Sequence, residues 1–152
     1  MNLDTTPASL APPAARMSTM GKKTVCDIDV AGKAVLVRVD FNVTLRLGTT
    51  KISDYSRIKA ALPTVRYLIG QGCRVVLCSH LGRPMGRKVE GLRMAPVSKR
   101  LSELLGMPVS QAPDCTGPES RRLVDALVPR AVLMLENLRF HTGEESNEAE
   151  FA

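Results

Sequence analysis

Apolar positions along this chain fall into two kinds of pattern. Short continuous runs occur at residues 34–39, 75–78 and 131–135, while longer stretches repeat at helical spacing. Runs that are apolar throughout, rather than alternating, predict strands covered on both faces and hence a parallel sheet. Ile58, Ala61, Leu62, Val65, Leu68 and Ile69 mark a helix that starts at Ser53 or Asp54, either of which can cap its first turn. Pro63 predicts a kink or split in that helix, and Gly70 to Gly72 its end. Val97, Leu101, Leu104 and Leu105 mark a second helix over 96–105, with Gly106 as its stop. Leu123, Val124 and Leu127 mark a third over 118–127, and a short edge strand is expected near Val109. The intervening turn falls at Leu47-Gly48-Thr49-Thr50. The order βαβαβαβ predicts an α/β fold, a doubly wound parallel sheet with helices on both faces.

The two ends of the chain differ from this middle. Residues 1–20 are rich in Ala, Pro, Ser and Thr and carry no periodicity. They read as a disordered tail, or as a start placed too far upstream of Met17 or Met20. No apolar core follows a basic start, as a secretory signal would require. After Gly143 the acidic segment 144–152 reads as the opening of a further helix capped by Asn147, whose apolar face nothing follows to complete. The chain therefore reads as a fragment.

Composition narrows the function. At 152 residues there is room for one domain with a real core. Aromatic residues make up 3% with no Trp, which argues against a stacking platform for nucleic acid. A net charge of +6 favours acidic partners without requiring DNA or RNA. No stretch approaches the roughly twenty apolar residues of a membrane span. Cys26, Cys73, Cys78 and Cys115 form no C-x-x-C pair and no framework, so free thiols in a reducing compartment are expected. A zinc site would need His80 or His141 to join them, and the spacing gives that no support, so no metal site is expected. The basic run Arg83, Arg87, Lys88, Arg93, Lys99 and Arg100 reads mostly as a solvated face.

Each apolar run ends in polar residues suited to an anion. Asp40-Phe41-Asn42 follows the first, Ser79-His80-Leu81-Gly82-Arg83-Pro84 the second, and Glu136-Asn137-Leu138-Arg139-Phe140-His141 the third. In open α/β sheets ligands bind beyond the carboxyl ends of the strands, where these clusters fall. There is no G-x-G-x-x-G, and residues 82–88 resemble a P-loop only superficially, because Pro84 removes a needed donor. Side chains remain: Arg57, Arg83 and Arg139, with His80, suit a phosphate or carboxylate through paired charge-assisted bonds. Taken singly each has a plainer reading. Arg57 fits a solvated charge at a helix start, Asp40 a loop cap or a partner for Arg38, and His80 a structural histidine.

Four motifs in order, Val37-Arg38-Val39-Asp40-Phe41-Asn42-Val43, Asp54-Tyr55-Ser56-Arg57-Ile58, Ser79-His80-Leu81-Gly82-Arg83-Pro84 and Leu135-Glu136-Asn137-Leu138-Arg139-Phe140-His141, resemble the N-terminal domain of phosphoglycerate kinases. The resemblance runs from about Lys22 to Ala152. It implies a glycolytic, cytoplasmic, monomeric enzyme that moves a phosphoryl group between 1,3-bisphosphoglycerate and ADP, giving 3-phosphoglycerate and ATP. By resemblance, residues 21–152 form a truncated phosphoglycerate-binding domain, and Mg-ATP or Mg-ADP belongs to a C-terminal lobe absent from this sequence. No cofactor is therefore expected on this chain alone, which is expected to be inactive. The resemblance assigns substrate binding to Asp40, Phe41, Asn42, Arg57, His80, Leu81, Gly82, Arg83 and Arg139. It gives Arg57 the catalytic role of stabilising the phosphoryl group in flight. Thr44 departs from the family, which usually has proline there. Two other readings stand beside the enzyme: a non-catalytic anion-binding module for a phosphorylated metabolite, and a structural fragment unable to fold alone.

Overall fold

The computed structural model describes residues 21–46 and 49–151. The expected tail at 1–20, the start at Met17 or Met20, and half of the 47–50 turn lie outside the described residues. Four parallel strands form the central sheet: β1 (Ala34–Arg38), β4 (Arg74–Cys78), β6 (Val132–Met134) and β5 (Val109–Gln111), in that spatial order. A two-stranded antiparallel hairpin, β2 (Thr44–Leu45) and β3 (Ile52–Asp54), interrupts the connection from β1 to β4. The helices are α1 (Ser56–Gly70), α2 (Ala95–Leu105), α3 (Gly117–Asp125) and the short α4 (Thr142–Ser146).

The pleat divides the central strands into two cores. Val75, Leu77, Val132 and Met134 pack with Ile58, Leu62, Val65 and Leu68 of α1 and with Val97 and Leu101 of α2. Val76, Cys78, Leu133 and Leu135 point the other way, towards Leu123 and Val124 of α3 and towards Leu127. Register aligns Val75 with Val35 and Val132, and Leu77 with Val37 and Met134, so the layers are continuous across the sheet. The α/β sheet with helices on both faces is as the pattern predicts.

Four local expectations change. First, β1 is covered on one face only. Val35 and Val37 are half-buried against the α1 side, whereas Ala34, Leu36 and Arg38 stay exposed, Leu36 at 67%. As an edge strand beyond the reach of α3, β1 keeps an apolar sequence without a second covering layer. Second, α1 runs unbroken through Pro63. Proline in a helix interior costs roughly 3 kcal/mol. Burial of Ile58 and Leu62 before it and Val65 and Leu68 after it, at about 1.5–3 kcal/mol each, outweighs that. Third, Asp54 rather than Ser53 steadies the start of α1. Its carboxylate accepts from the Ser56 N–H at 2.8 Å and from the Ser56 hydroxyl at 3.1 Å, and these bonds hold its pKa below the usual value. Ser53 lies in β3 and donates across the hairpin to the Thr44 carbonyl at 2.9 Å. Fourth, Asn147 ends α4 rather than opening a helix, with φ 54°, a left-handed conformation that asparagine tolerates better than most residues.

Candidate functional site

Three loops leave the carboxyl ends of β1, β4 and β6, and side-chain amides tie them into one edge. Asn42, after β1, accepts at Oδ1 from the Gly82 N–H at 2.9 Å. Asn137, after β6, is fully buried and uses both ends of its amide. Its Oδ1 accepts from the N–H groups of Leu81 (3.2 Å) and Arg139 (3.1 Å), while Nδ2 donates to the carbonyls of Leu81 (2.8 Å) and Leu92 (2.9 Å). Ser79 adds a third tie: its Oγ accepts from the Phe41 N–H at 2.9 Å, and its carbonyl accepts from Leu138 at 3.1 Å.

Two glycines let the loops approach closely. At Gly82 (φ +64°) a Cβ would stand 2.8 Å from a methyl of Leu92, and at Gly86 (φ +73°) it would collide with the Thr142 side chain. Gly86 also donates to the Arg139 carbonyl at 3.1 Å, which draws the 82–88 turn against the β6 loop. Residues 82–88 are thus a packed connection between loops rather than a phosphate cradle.

On this scaffold the charged groups pair across the edge. Arg57, near the start of α1, makes an ion pair with Asp40, and both side chains are more than half exposed. The other Asp40 oxygen accepts from the Asn42 N–H at 3.1 Å, so Asp40 caps its loop and pairs with Arg57, not with Arg38. Arg38 instead reaches Glu144 Oε1 at 2.5 Å, and the second oxygen of Glu144 meets Arg139 Nε at 3.1 Å. Burial pushes the Glu144 carboxyl up in pKa, but the bonds from Arg38 and Arg139 win and hold it below its ordinary value. Arg139 also meets Glu145 at 3.3 Å and donates to the Gly82 carbonyl at 3.3 Å. His80 feels Arg139, Glu144, Asp40 and Arg38. Burial, reinforced by Arg139, lowers its pKa from 6.5, so the imidazole is neutral at pH 7 and can donate or accept.

Of the residues the sequence pointed to, Asp40, Asn42, Arg57, His80, Gly82 and Arg139 are linked by these bonds and fields. Arg83 follows Gly82, is exposed, and makes no ion pair among the described residues. Phe41 and Leu81 are core side chains, 0% and 1% exposed. Their backbone groups are engaged with Ser79 and Asn137, so they shape the edge from beneath.

Two partners escaped the sequence reading. Glu136, 3% exposed, accepts from the N–H groups of Met94 (2.8 Å) and Asn137 (2.9 Å) and pairs with Arg93 at 3.3 Å. The only hint was its place at the end of an apolar run. Glu144 gave none, since Arg38 lies 106 residues away. Half of the basic run between residues 83 and 100 is neutralised: Lys88 pairs with Asp114, Arg93 with Glu90 and Glu136, and Arg100 with Glu103.

The fold and its edge define a class: an α/β domain that carries arginine and histidine residues at the carboxyl ends of its parallel strands, the edge at which open α/β sheets bind ligands. The family model described as phosphoglycerate kinase matches residues 25–152. A crystal structure of phosphoglycerate kinase from Pyrococcus horikoshii OT3 is 37% identical, with a TM-score of 0.72 over 79% of this chain and 29% of that one. The phosphoglycerate kinase from Coxiella burnetii is 34% identical, with a TM-score of 0.70 over 84% of this chain and 30% of that one. The chain belongs to the phosphoglycerate kinase family, and it spans about three-tenths of the length of these two relatives. No described helix is long and apolar enough to cross a membrane.

Proposed function

We propose that the strand-end edge binds a phosphoglycerate, as the part of a kinase that holds this substrate while a phosphoryl group passes between 1,3-bisphosphoglycerate and ADP. The observation that carries the reading is the tying of three loops by Asn42, Ser79 and Asn137, the loops whose sequence includes His80, Arg83 and Arg139, with Arg57 joined to the first of them through Asp40. A ligand phosphate would meet the guanidinium groups of Arg83 and Arg139 and the neutral imidazole of His80, with Asp40 and Asn42 reaching its hydroxyl and carboxylate end. A site fixed before the ligand arrives needs little reorganisation, which favours affinity.

Phosphoryl transfer is mainly positioning plus neutralisation of charge on the equatorial oxygens. Arg57 suits that second task. Its partner Asp40 lies at the surface, so the guanidinium can leave the pair for an arriving phosphoryl group at little expense. Mg-nucleotide would be the second substrate, and no residue of this chain is assigned to it.

Calorimetric titration of the chain with 3-phosphoglycerate tests the reading. Saturable binding is expected, preferred over inorganic phosphate and sulfate. Arg83→Ala should weaken it about tenfold or more, the scale of one charge-assisted contact. Equal affinity for all three anions, falling linearly with log salt, would replace this reading with a non-catalytic polyanion binder.

A further inference from the structure

On the side of β6 away from Arg57, three chemically different metal-ligating groups come together. Asp114 follows β5, Cys115 is its neighbour at the approach to α3, and His141 closes the loop after β6. Their carboxylate, thiol and imidazole donor atoms all lie within 4.8 Å of one another. We propose that Asp114, Cys115 and His141 form a binding site for a zinc-type divalent cation, with water as its fourth ligand.

The donor set is what such a cation selects. Zinc takes sulfur, imidazole nitrogen and carboxylate oxygen in tetrahedral geometry, at about 2.0–2.3 Å. In such a shell donor atoms stand about 3.3–3.8 Å apart, so a set lying within 4.8 Å adjusts slightly, with His141 Nε2 and Asp114 Oδ1 moving apart from 2.6 Å. All three residues are partly buried, which strengthens metal–ligand attraction while leaving a path for entry.

The surroundings hold the donors in place. Ser120 donates to the Asp114 carbonyl at 2.8 Å, and the Cys115 N–H bonds Asp114 Oδ1 at 2.7 Å. The Phe151 ring lies 5.6 Å from the His141 ring and limits its rotation. His141 Nε2 already meets Asp114 Oδ1 at 2.6 Å, and the metal would insert between them.

A cation already uses this carboxylate. Lys88 Nζ sits 2.7 Å from Asp114 Oδ2, 53% exposed at its side chain and so able to swing away. A metal binds Cys115 as a thiolate, so its proton leaves to solvent when the metal–sulfur bond forms. Lys88 and that proton are the two competitors a divalent ion must displace. The separation of Cys115 and His141 along the chain explains why spacing alone gave no sign of the site.

Cobalt(II) is the probe, because a thiolate–cobalt bond absorbs in the near ultraviolet and tetrahedral cobalt gives visible bands. Titrating the chain should produce both, and zinc should abolish them by displacement. Cys115→Ser should remove the thiolate band, and His141→Ala should weaken binding about tenfold or more, as losing a supported ligand does. Lys88→Met leaves all three donors in place and should tighten binding by removing the competitor. Absence of a thiolate band in the wild-type chain would overturn the proposal. So would a band that survives Cys115→Ser and disappears in Cys26→Ser, since Cys26 is the exposed thiol.

Discussion

Asp40, just after β1, and Glu136 and Asn137, just after β6, hold similar places in the sequence and are used in opposite ways. After β6, Glu136 and Asn137 are buried, and their side chains satisfy backbone groups of three different segments. After β1, Asp40 stands more than half exposed and bonds only its own turn and the surface residue Arg57. A buried polar group must be fully partnered, because an unsatisfied one costs about 1–3 kcal/mol. An exposed ion pair is worth about 0–1 kcal/mol and can exchange partners. Glu136 and Asn137 therefore hold the edge in shape, while the Asp40 carboxylate, on a loop that Asn42 and Phe41 anchor, is free to exchange partners.

The sharpest way to break this contrast is Asn137→Ala. It strands the buried N–H and carbonyl of Leu81 and undoes the link to Leu92, so we expect a loss of about 4 kcal/mol in urea unfolding. A loss under about 1 kcal/mol would mean that water or another group replaces the amide.

Acid should expose a middle case, Glu144. Its folded pKa lies below the ordinary 4.5, so the contribution is complete above that value and is lost as pH falls through the folded value. Glu144→Gln should therefore flatten the fall in stability below about pH 4.5, measured by thermal melts across pH. His80 acts in a higher window. Its folded pKa is below 6.5, so stability is greatest above pH 6.5 and declines as the unfolded chain takes up its proton. His80→Gln should remove that decline.

The smallest effect belongs to the exposed Asp40 carboxylate. Asp40→Asn should change stability by no more than about 0.5 kcal/mol, because the pair with Arg57 is solvated. A larger loss would place Asp40 with the scaffold.

The sequence carried the sheet because periodicity is written locally. The apolar run 75–78 marks β4, one residue short of its start at Arg74, and Gly106 marks the stop of α2. The β2–β3 hairpin was hidden because strands of two and three residues leave no run to read. The exposed face of β1 was hidden because an apolar strand looks the same whether or not a second layer covers it. In the site, residue type pointed to His80, Arg83 and Arg139, but burial separated Phe41 and Leu81 from them. Glu136, Asn137 and Glu144 owe their roles to partners brought from distant segments, which no local pattern records.

Amide chemical shifts followed during titration with 3-phosphoglycerate show whether the ligand seats at the ends of β1, β4 and β6. Saturable shifts are expected at residues 40–42, 80–83 and 139, after the three strands, and at Arg57 of α1. The basic cleft that includes Arg46, Lys51 and Lys99 should stay unchanged. Shifts confined to that cleft, or none at saturating ligand, would contradict that seating.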